Sequence, residues 1–277
     1  MPKDLQVVKS NHIISASYRL SVIEQRIILC CIAQVCRDET ITDEVLYSVR
    51  ASDLAELCGT DMRRAYRDLA EAAERLYERR ITILFEPDGK PRAARKRLTR
   101  WVQDVDYIEG EGRIELRFGK TILPFLTGLT EHFTRYQLSA VARMTSAHAI
   151  RLFELLAQYG SVGEREISLE QLQEWLQLEG NYSMFADLKR RVIEPAVAQV
   201  NEHSPLAVKW EQRKTGRKVT HLVFTFGPKK TTKAAAKGAN TALTPAGMTD
   251  TEMAAYARPG ETWEQLRARL RKAGTAA

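Results

Sequence analysis

The chain has 277 residues, 44% hydrophobic and 28% charged, which is enough for two ordinary domains with a core each. Its net charge of +7 is misleading: from Pro228 onward nine Lys/Arg stand against four Asp/Glu, so the 227 residues before it are close to neutral. Cys30, Cys31, Cys36 and Cys58 form no CxxC pair and no apolar run reaches membrane-spanning length, which excludes a zinc ribbon and a bilayer span, and a soluble, reduced, cytoplasmic protein with no signal peptide and no membrane partner is expected.

In chain order, residues 1–17 are expected to be a short, weakly structured lead-in, and Ser21 with Glu24 three residues on makes a capping box for a helix striped by Val22, Ile23, Ile27, Ile28, Cys31, Ile32 and Val35. Tyr47-Ser48-Val49 reads as a short strand. Ser52 is expected to cap a helix from Asp53 to Cys58, ended by Gly59. A longer helix follows from Asp61 to Glu78, with Tyr66, Leu69, Ala73 and Leu76 inward and Arg63, Arg67, Glu71, Glu74 and Glu78 outward. Short helix, glycine turn and longer helix are the helix-turn-helix order, and Arg63, Arg64 and Arg67 occupy the turns that would face bases. A surface network such as Arg67 with Glu71 is the competing reading. Strands are expected at Ile81–Phe85, Leu98–Ile108 and Arg113–Phe118. The first two are joined by a basic loop that ends in Arg95, Lys96 and Arg97, and a short apolar segment, Ile122–Leu129, closes the unit.

The pattern then recurs. A long helix is expected over Leu138–Tyr159, a strand at Glu166-Ile167, and a helix Leu169–Leu178 capped by Ser168. After Gly180-Asn181 comes the most informative stretch, Asn181 to Phe226. Phe185, Leu188, Val192, Ala196 and Val200 recur at helical steps, while Ser183, Asp187, Arg190, Arg191 and Glu194 fall on the opposite side. Pro195 should bend this helix after Glu194. Leu206–Glu211 and Val219–Phe226 then alternate as two strands around a glycine turn bearing Arg213, Lys214, Arg217 and Lys218. A helix with cations in its first turns followed by a basic-tipped hairpin fits a winged helix, whose helix enters a major groove while the hairpin lies along phosphates. Pairing of the arginines to Asp187 and Glu194 on a solvated face is the alternative.

The offset between the halves is nearly constant, 116 for Ser52 to Ser168 and 119 for both Tyr66 to Phe185 and Leu69 to Leu188, as in an internal duplication. The expected architecture is therefore α+β: two tandem winged-helix domains, residues 1–130 and 131–227, and a flexible basic tail, 228–277. In that tail Thr262–Leu270 could form a short amphipathic helix. No catalytic, metal or cofactor site is expected. His12, His132, His148, His203 and His221 are scattered, and no phosphate-cradling Gly-Lys-Ser/Thr run exists.

Several runs are also familiar: Val8-Lys9-Ser10-Asn11, Leu20-Ser21 and Glu24-Gln25-Arg26 near the start, then Thr134-Arg135-Tyr136-Gln137-Leu138 and Ala149-Ile150-Arg151-Leu152-Phe153-Glu154-Leu155-Leu156. Later come Phe185-Ala186-Asp187-Leu188-Lys189-Arg190-Arg191 and Lys214-Thr215-Gly216-Arg217-Lys218-Val219-Thr220-His221-Leu222-Val223-Phe224. Over about residues 7–227 the chain resembles the iteron-binding initiators of theta-replicating plasmids, the RepA/RepE-like family, more loosely between Thr82 and Arg113. The resemblance implies a protein that binds directly repeated origin sites as a monomer and helps open the adjacent duplex. It also implies recruitment of the host initiator and replicative helicase, and a homodimer, in equilibrium with the monomer, that binds an inverted repeat and represses its own gene. It places groove contacts on Lys189, Arg190 and Arg191, backbone contacts on Arg213, Lys214, Arg217 and Lys218, and the matching helix of the first domain on Arg63, Arg64 and Arg67. A dedicated winged-helix repressor without an initiator role is the alternative.

Overall fold

The first long helix begins where its capping chemistry requires: Ser21 Oγ accepts from the Glu24 amide (3.3 Å), and Glu24 Oε2 accepts from the Ser21 amide (2.8 Å). The structure is a computed structural model that describes residues 5–36, 41–85, 95–129 and 131–229. The expected loop through residues 86–94 and the tail from 230, with its proposed short helix, lie outside the described residues.

In order, the elements are β1 (Gln6–Ser10), α1 (Asn11–Ile14), β2 (Ser17–Tyr18), α2 (Val22–Gln34), β3 (Tyr47–Arg50), α3 (Ala51–Cys58), α4 (Met62–Tyr77), β4 (Arg80–Phe85), β5 (Arg95–Arg100), β6 (Val102–Ile108) and β7 (Arg113–Phe118). Then come β8 (Phe133–Gln137), α5 (Ser139–Ala142), α6 (Ala147–Ala157), β9 (Glu164–Ser168), α7 (Leu169–Trp175), α8 (Phe185–Leu188), a π-helical turn (Lys189–Ile193), α9 (Glu194–His203), β10 (Leu206–Thr215) and β11 (Lys218–Pro228). Among the described residues no helix is long and apolar enough to cross a membrane.

Two sheets have the same plan. In the first half the strand order is β3-β7-β6, and in the second it is β9-β11-β10, each antiparallel with a helix pair between its first strand and its hairpin. Val49 opposite Ile114 and Ile167 opposite Leu222 occupy the same place, buried one residue before a helix cap. That match shifts two readings. The residue equivalent to Ser168 is Arg50, not Ser52, and α3 begins at Ala51 with Asp53 accepting from the Arg50 amide. The long helices also align one turn further on than the sequence offset. Buried Ala65, Leu69, Ala72, Ala73 and Leu76 correspond to buried Leu188, Ile193, Ala196, Val197 and Val200. The offset is 123 for Ala65 to Leu188 and 124 from Leu69 to Ile193 onward, so one residue has been added inside the π turn.

Other departures have tertiary causes. The expected single strand Leu98–Ile108 is divided at Trp101, whose side chain is fully buried and meets Tyr18 edge-on at 4.9 Å. The expected helix Leu138–Tyr159 is two helices, α5 and α6. Ser146 caps α6, and Gln199 Oε1, from α9, accepts from the amides of Thr145 (2.7 Å) and Ser146 (3.0 Å), holding the break open. Tyr66, expected inside α4, is 40% exposed; its ring covers Gly112, where an added Cβ would lie 1.8 Å from Tyr66 Cε1.

A buried ionic cluster ties β1, β2 and β8 to α6. Glu154 on α6 accepts from Lys9 Nζ of β1 (2.5 Å), from Tyr136 Oη of β8 (2.5 Å) and from Arg151 (3.3 Å). Arg151 also donates to Tyr18 Oη of β2 (2.5 Å) and to the Ala16 carbonyl (2.8 Å). Burial pushes the Glu154 carboxyl up, but Lys9 and Arg151 together hold it below the usual carboxylate range. Glu24 is likewise penalised by burial yet held down by Arg79 and its bond from Ser21.

Removing the carboxylate strands two buried cations, so Glu154→Gln is expected to cost about 3–5 kcal/mol in chemical denaturation. Exposed Glu164→Gln, as a control, should change stability by less than about 0.5 kcal/mol. Because both Glu154 and Glu24 have depressed folded values, the unfolded chain takes up more protons in acid. Their contribution should be complete above about pH 4.5, the ordinary glutamate value, and fall away as the pH drops below it. A flat denaturation midpoint across that range would contradict the assignment.

Candidate nucleic-acid interface

The second long helix carries its cations on a widened turn. The Glu194 amide bonds to the Lys189 carbonyl, five residues back, so Lys189, Arg190 and Arg191 lie on the π turn immediately before Pro195. Proline lacks the amide and its ring crowds the preceding turn. The wide turn and the first-turn placement in α9 absorb both, so the irregularity falls before Pro195 rather than as the expected bend after Glu194.

On this turn Arg190 and Arg191 project into solvent, and both lean on Asp187 Oδ1, at 3.1 Å for Arg190 and 3.9 Å for Arg191. Such exposed pairs contribute little to stability, and one carboxylate facing two arginines leaves a positive surplus. Lys189 is turned toward the flank, with its Nζ 3.5 Å from Glu194 Oε1 and 5.7 Å from the centre of the Trp210 ring on β10. Ser183 is exposed but lies two residues ahead of α8, not on the helical face where the periodicity placed it.

The hairpin β10–β11 closes through Gly216-Arg217, with Gly216 at φ 63°, as the first central position of a two-residue type II′ turn requires. Its strands reach further than the sequence alternation showed, so Arg213 and Lys214 are strand residues beside a bulge. Arg213 is engaged by both oxygens of Glu166 on β9 at 2.7 Å. Lys214, Arg217 and Lys218 are exposed and have no acidic partner among the described residues.

In the first half, Arg63, Arg64 and Arg67 emerge from the first turns of α4. Asp68 lies 3.5 Å from Arg64 and 3.9 Å from Arg67, whereas Arg67 with Glu71, the pairing the sequence offered, does not form; Glu71 pairs with Arg75 instead. With the offset of 123, Arg67 corresponds to Arg190, and their side chains are 68% and 70% exposed. Arg64–Asp68 corresponds to Asp187–Arg191: the same ion pair with its charges exchanged.

The expected basic wing of the first half is a different hairpin. Arg95, Lys96 and Arg97 belong to β5, paired to β4 in the sheet β2-β4-β5, and the guanidinium groups of Arg95 and Arg97 stack over Phe85 at 4.9 and 5.3 Å. By topology the counterpart of β10–β11 is β6–β7. Its tip, Glu109-Gly110-Glu111-Gly112, is acidic, and Arg113 behind it is paired to Glu111 (3.0 Å) and Glu115. A phosphate would be repelled there. Sequence reasoning missed this exchange because β4–β5 interrupts the unit between its helix and its wing. The π turn it also missed, although the five-residue step from Leu188 to Ile193 was a signal for it.

Comparison with known proteins finds the same order of two domains. A family model described as initiator replication protein, WH1, matches residues 6–157, and one described as initiator Rep protein, WH2, matches residues 168–226. An uncharacterized 27.6 kDa protein of Escherichia coli is 26% identical over 236 residues, covering 82% of this chain and 97% of that protein. A replication initiation protein of the same organism is 27% identical over 230 residues, covering 80% of this chain and 69% of the other. The crystal structure of the Pi initiator protein in complex with iteron DNA superposes with a TM-score of 0.68 at 23% identity, covering 83% of this chain and all of that one, a likeness of fold. With both of its winged-helix domains matched in order along one chain, this protein belongs to the Rep3 family of replication initiators.

Proposed function

We propose that this chain starts plasmid replication by binding directly repeated duplex sites at an origin, with both long helices in major grooves of one DNA. The observation that carries this reading is the equivalence of Arg67 and Arg190, two exposed arginines at one position of a duplicated helix. The Pi initiator, whose fold is shared, is bound to iteron DNA in its crystal structure, which supports the same target here.

In this reading Arg190 and Arg191 reach base edges, for which the planar guanidinium is suited. Lys189 and Ser183 flank them, and Arg63, Arg64 and Arg67 read the neighbouring groove. Lys214, Arg217 and Lys218 lie along phosphates, with Arg213 steadied by Glu166 behind them, and Arg95, Lys96 and Arg97 supply backbone contacts from β5. The bound monomer helps open the adjacent duplex and recruits the host initiator and replicative helicase. A homodimer in equilibrium with it binds an inverted repeat and represses the gene. The protein acts in the cytoplasm and by binding, without catalysis.

Footprinting the purified protein on its own flanking DNA tests the core of this. Protection of direct repeats is expected; protection confined to an inverted repeat would leave only a repressor. Arg190→Ala should weaken cognate binding by about 1–3 kcal/mol and relax discrimination against a scrambled duplex. Equal losses on both duplexes would reduce Arg190 to a phosphate contact. Lys214→Ala with Lys218→Ala should flatten the slope of log K against log salt by about 2, at unchanged sequence preference. Glu166→Gln, which releases Arg213, should leave that slope the same or make it steeper.

A further inference from the structure

Away from these helices, α2 and α6 begin side by side around a surface cavity of about 540 Å³. Its wall includes Arg19, Arg79, His148, Arg151, Ser21 and Gln25, and no carboxylate. Gln25 Nε2 donates to the carbonyls of Leu20 and Ala147, both at 3.2 Å, tying the two helix starts together. Each start points a helix's positive end at the same space, and the first amides of α6, Ala147 and His148, have no partner inside a helix.

The charges around the cavity do not balance. Glu24 is held by both Arg79 (2.8 Å) and Arg75 (3.2 Å), and Arg75 is shared with Glu71 (3.5 Å), so that group is neutral. Glu154 is held by both Lys9 and Arg151, leaving one positive charge over. Arg19 is exposed, with no acidic partner among the described residues, and supplies a second. Arg151 is only 3% exposed, yet its Nε–H has no acceptor, an unmet buried donor in the cavity wall. Burial and then Arg19 hold the His148 imidazole below its usual value, as expected where the local potential is positive.

We infer that this cavity is a phosphate site. Oxygen atoms of one phosphate would meet Arg19, the first amides of α6 and the two helix ends, in the manner of anions bound at helix starts. Two sources carry that chemistry: a backbone phosphate of bound duplex, or a free phosphate such as that of a nucleotide. Only the first depends on the proposed DNA function.

The test uses the full chain and two surface variants, Arg19→Ala and Arg19→Lys, neither of which disturbs the core. In one arm, inorganic phosphate is titrated against chloride at constant ionic strength, with thermal stability and phosphorus NMR line width as readouts. Stabilisation that saturates, is lost in Arg19→Ala and returns in Arg19→Lys assigns the site to a free phosphate. In the other arm, salt dependence is measured on cognate and scrambled duplexes. A slope reduced by about 1 in Arg19→Ala, equal on both duplexes and restored by Arg19→Lys, assigns it to the DNA backbone. If Arg19→Ala changes neither phosphate response nor salt slope, the inference is overturned. It is overturned also if the variant loses sequence discrimination, since Arg19 would then touch a base. Wild-type protein that ignores duplex but still binds phosphate would sink the DNA reading and leave this site standing.

Discussion

Glu154 is the constraint on which the arrangement rests. A fully buried carboxylate is tolerable only if its charge is met, and here the partners come from β1, β8 and α6 at once, with Tyr18 of β2 joined through Arg151. Helix α6 closes the stretch matched by the WH1 family model, residues 6–157, so its one side chain ties the first strands of that stretch to its last helix. Hydrogen-bonded charges in a low-dielectric interior have discrete geometries, unlike a greasy contact that can slide. The cluster therefore specifies how β1, β2 and β8 meet α6.

On that frame the two domains share a plan and differ in what they present. The same strand order and the same spacing of buried side chains recur, with one residue added in the π turn of the second. The core-facing side chains had to keep their steps, because each fills a place against its sheet. The solvent-facing ones were free to change, and they did: one arginine is held in common, one ion pair is reversed, and an acidic hairpin tip stands where the other domain has a basic one. The first domain gained instead the β4–β5 hairpin, whose arginines lie over Phe85. The two long helices thus share a core pattern and offer solvent different charges.

How much of this could be read from the chain depends on the range of each interaction. The capping box of Ser21 and Glu24, the cap at Ser168, the left-handed Gly59 and the Gly216 turn all involve residues within about four positions, and each stands where the sequence puts it. The helix-turn-helix order, the hairpin after it and the repetition of both were legible for the same reason, since they rest on periodicity and turn chemistry.

The sequence by itself thus determined the local elements, their order, the duplication, and which cations cluster where along the chain, because these follow from neighbours along the backbone. Tertiary structure alone decided which cations remain free. Arg213 is taken by Glu166 from another strand, Lys189 is turned toward Trp210, and Arg95 and Arg97 are laid on Phe85 across a strand pair. It also decided where Trp101 breaks a strand, where Gln199 interrupts a helix, and that two surplus charges gather at the joined starts of α2 and α6. Each of these depends on partners brought close only by the fold, and an ion pair or a buried ring records distance in space rather than distance along the chain.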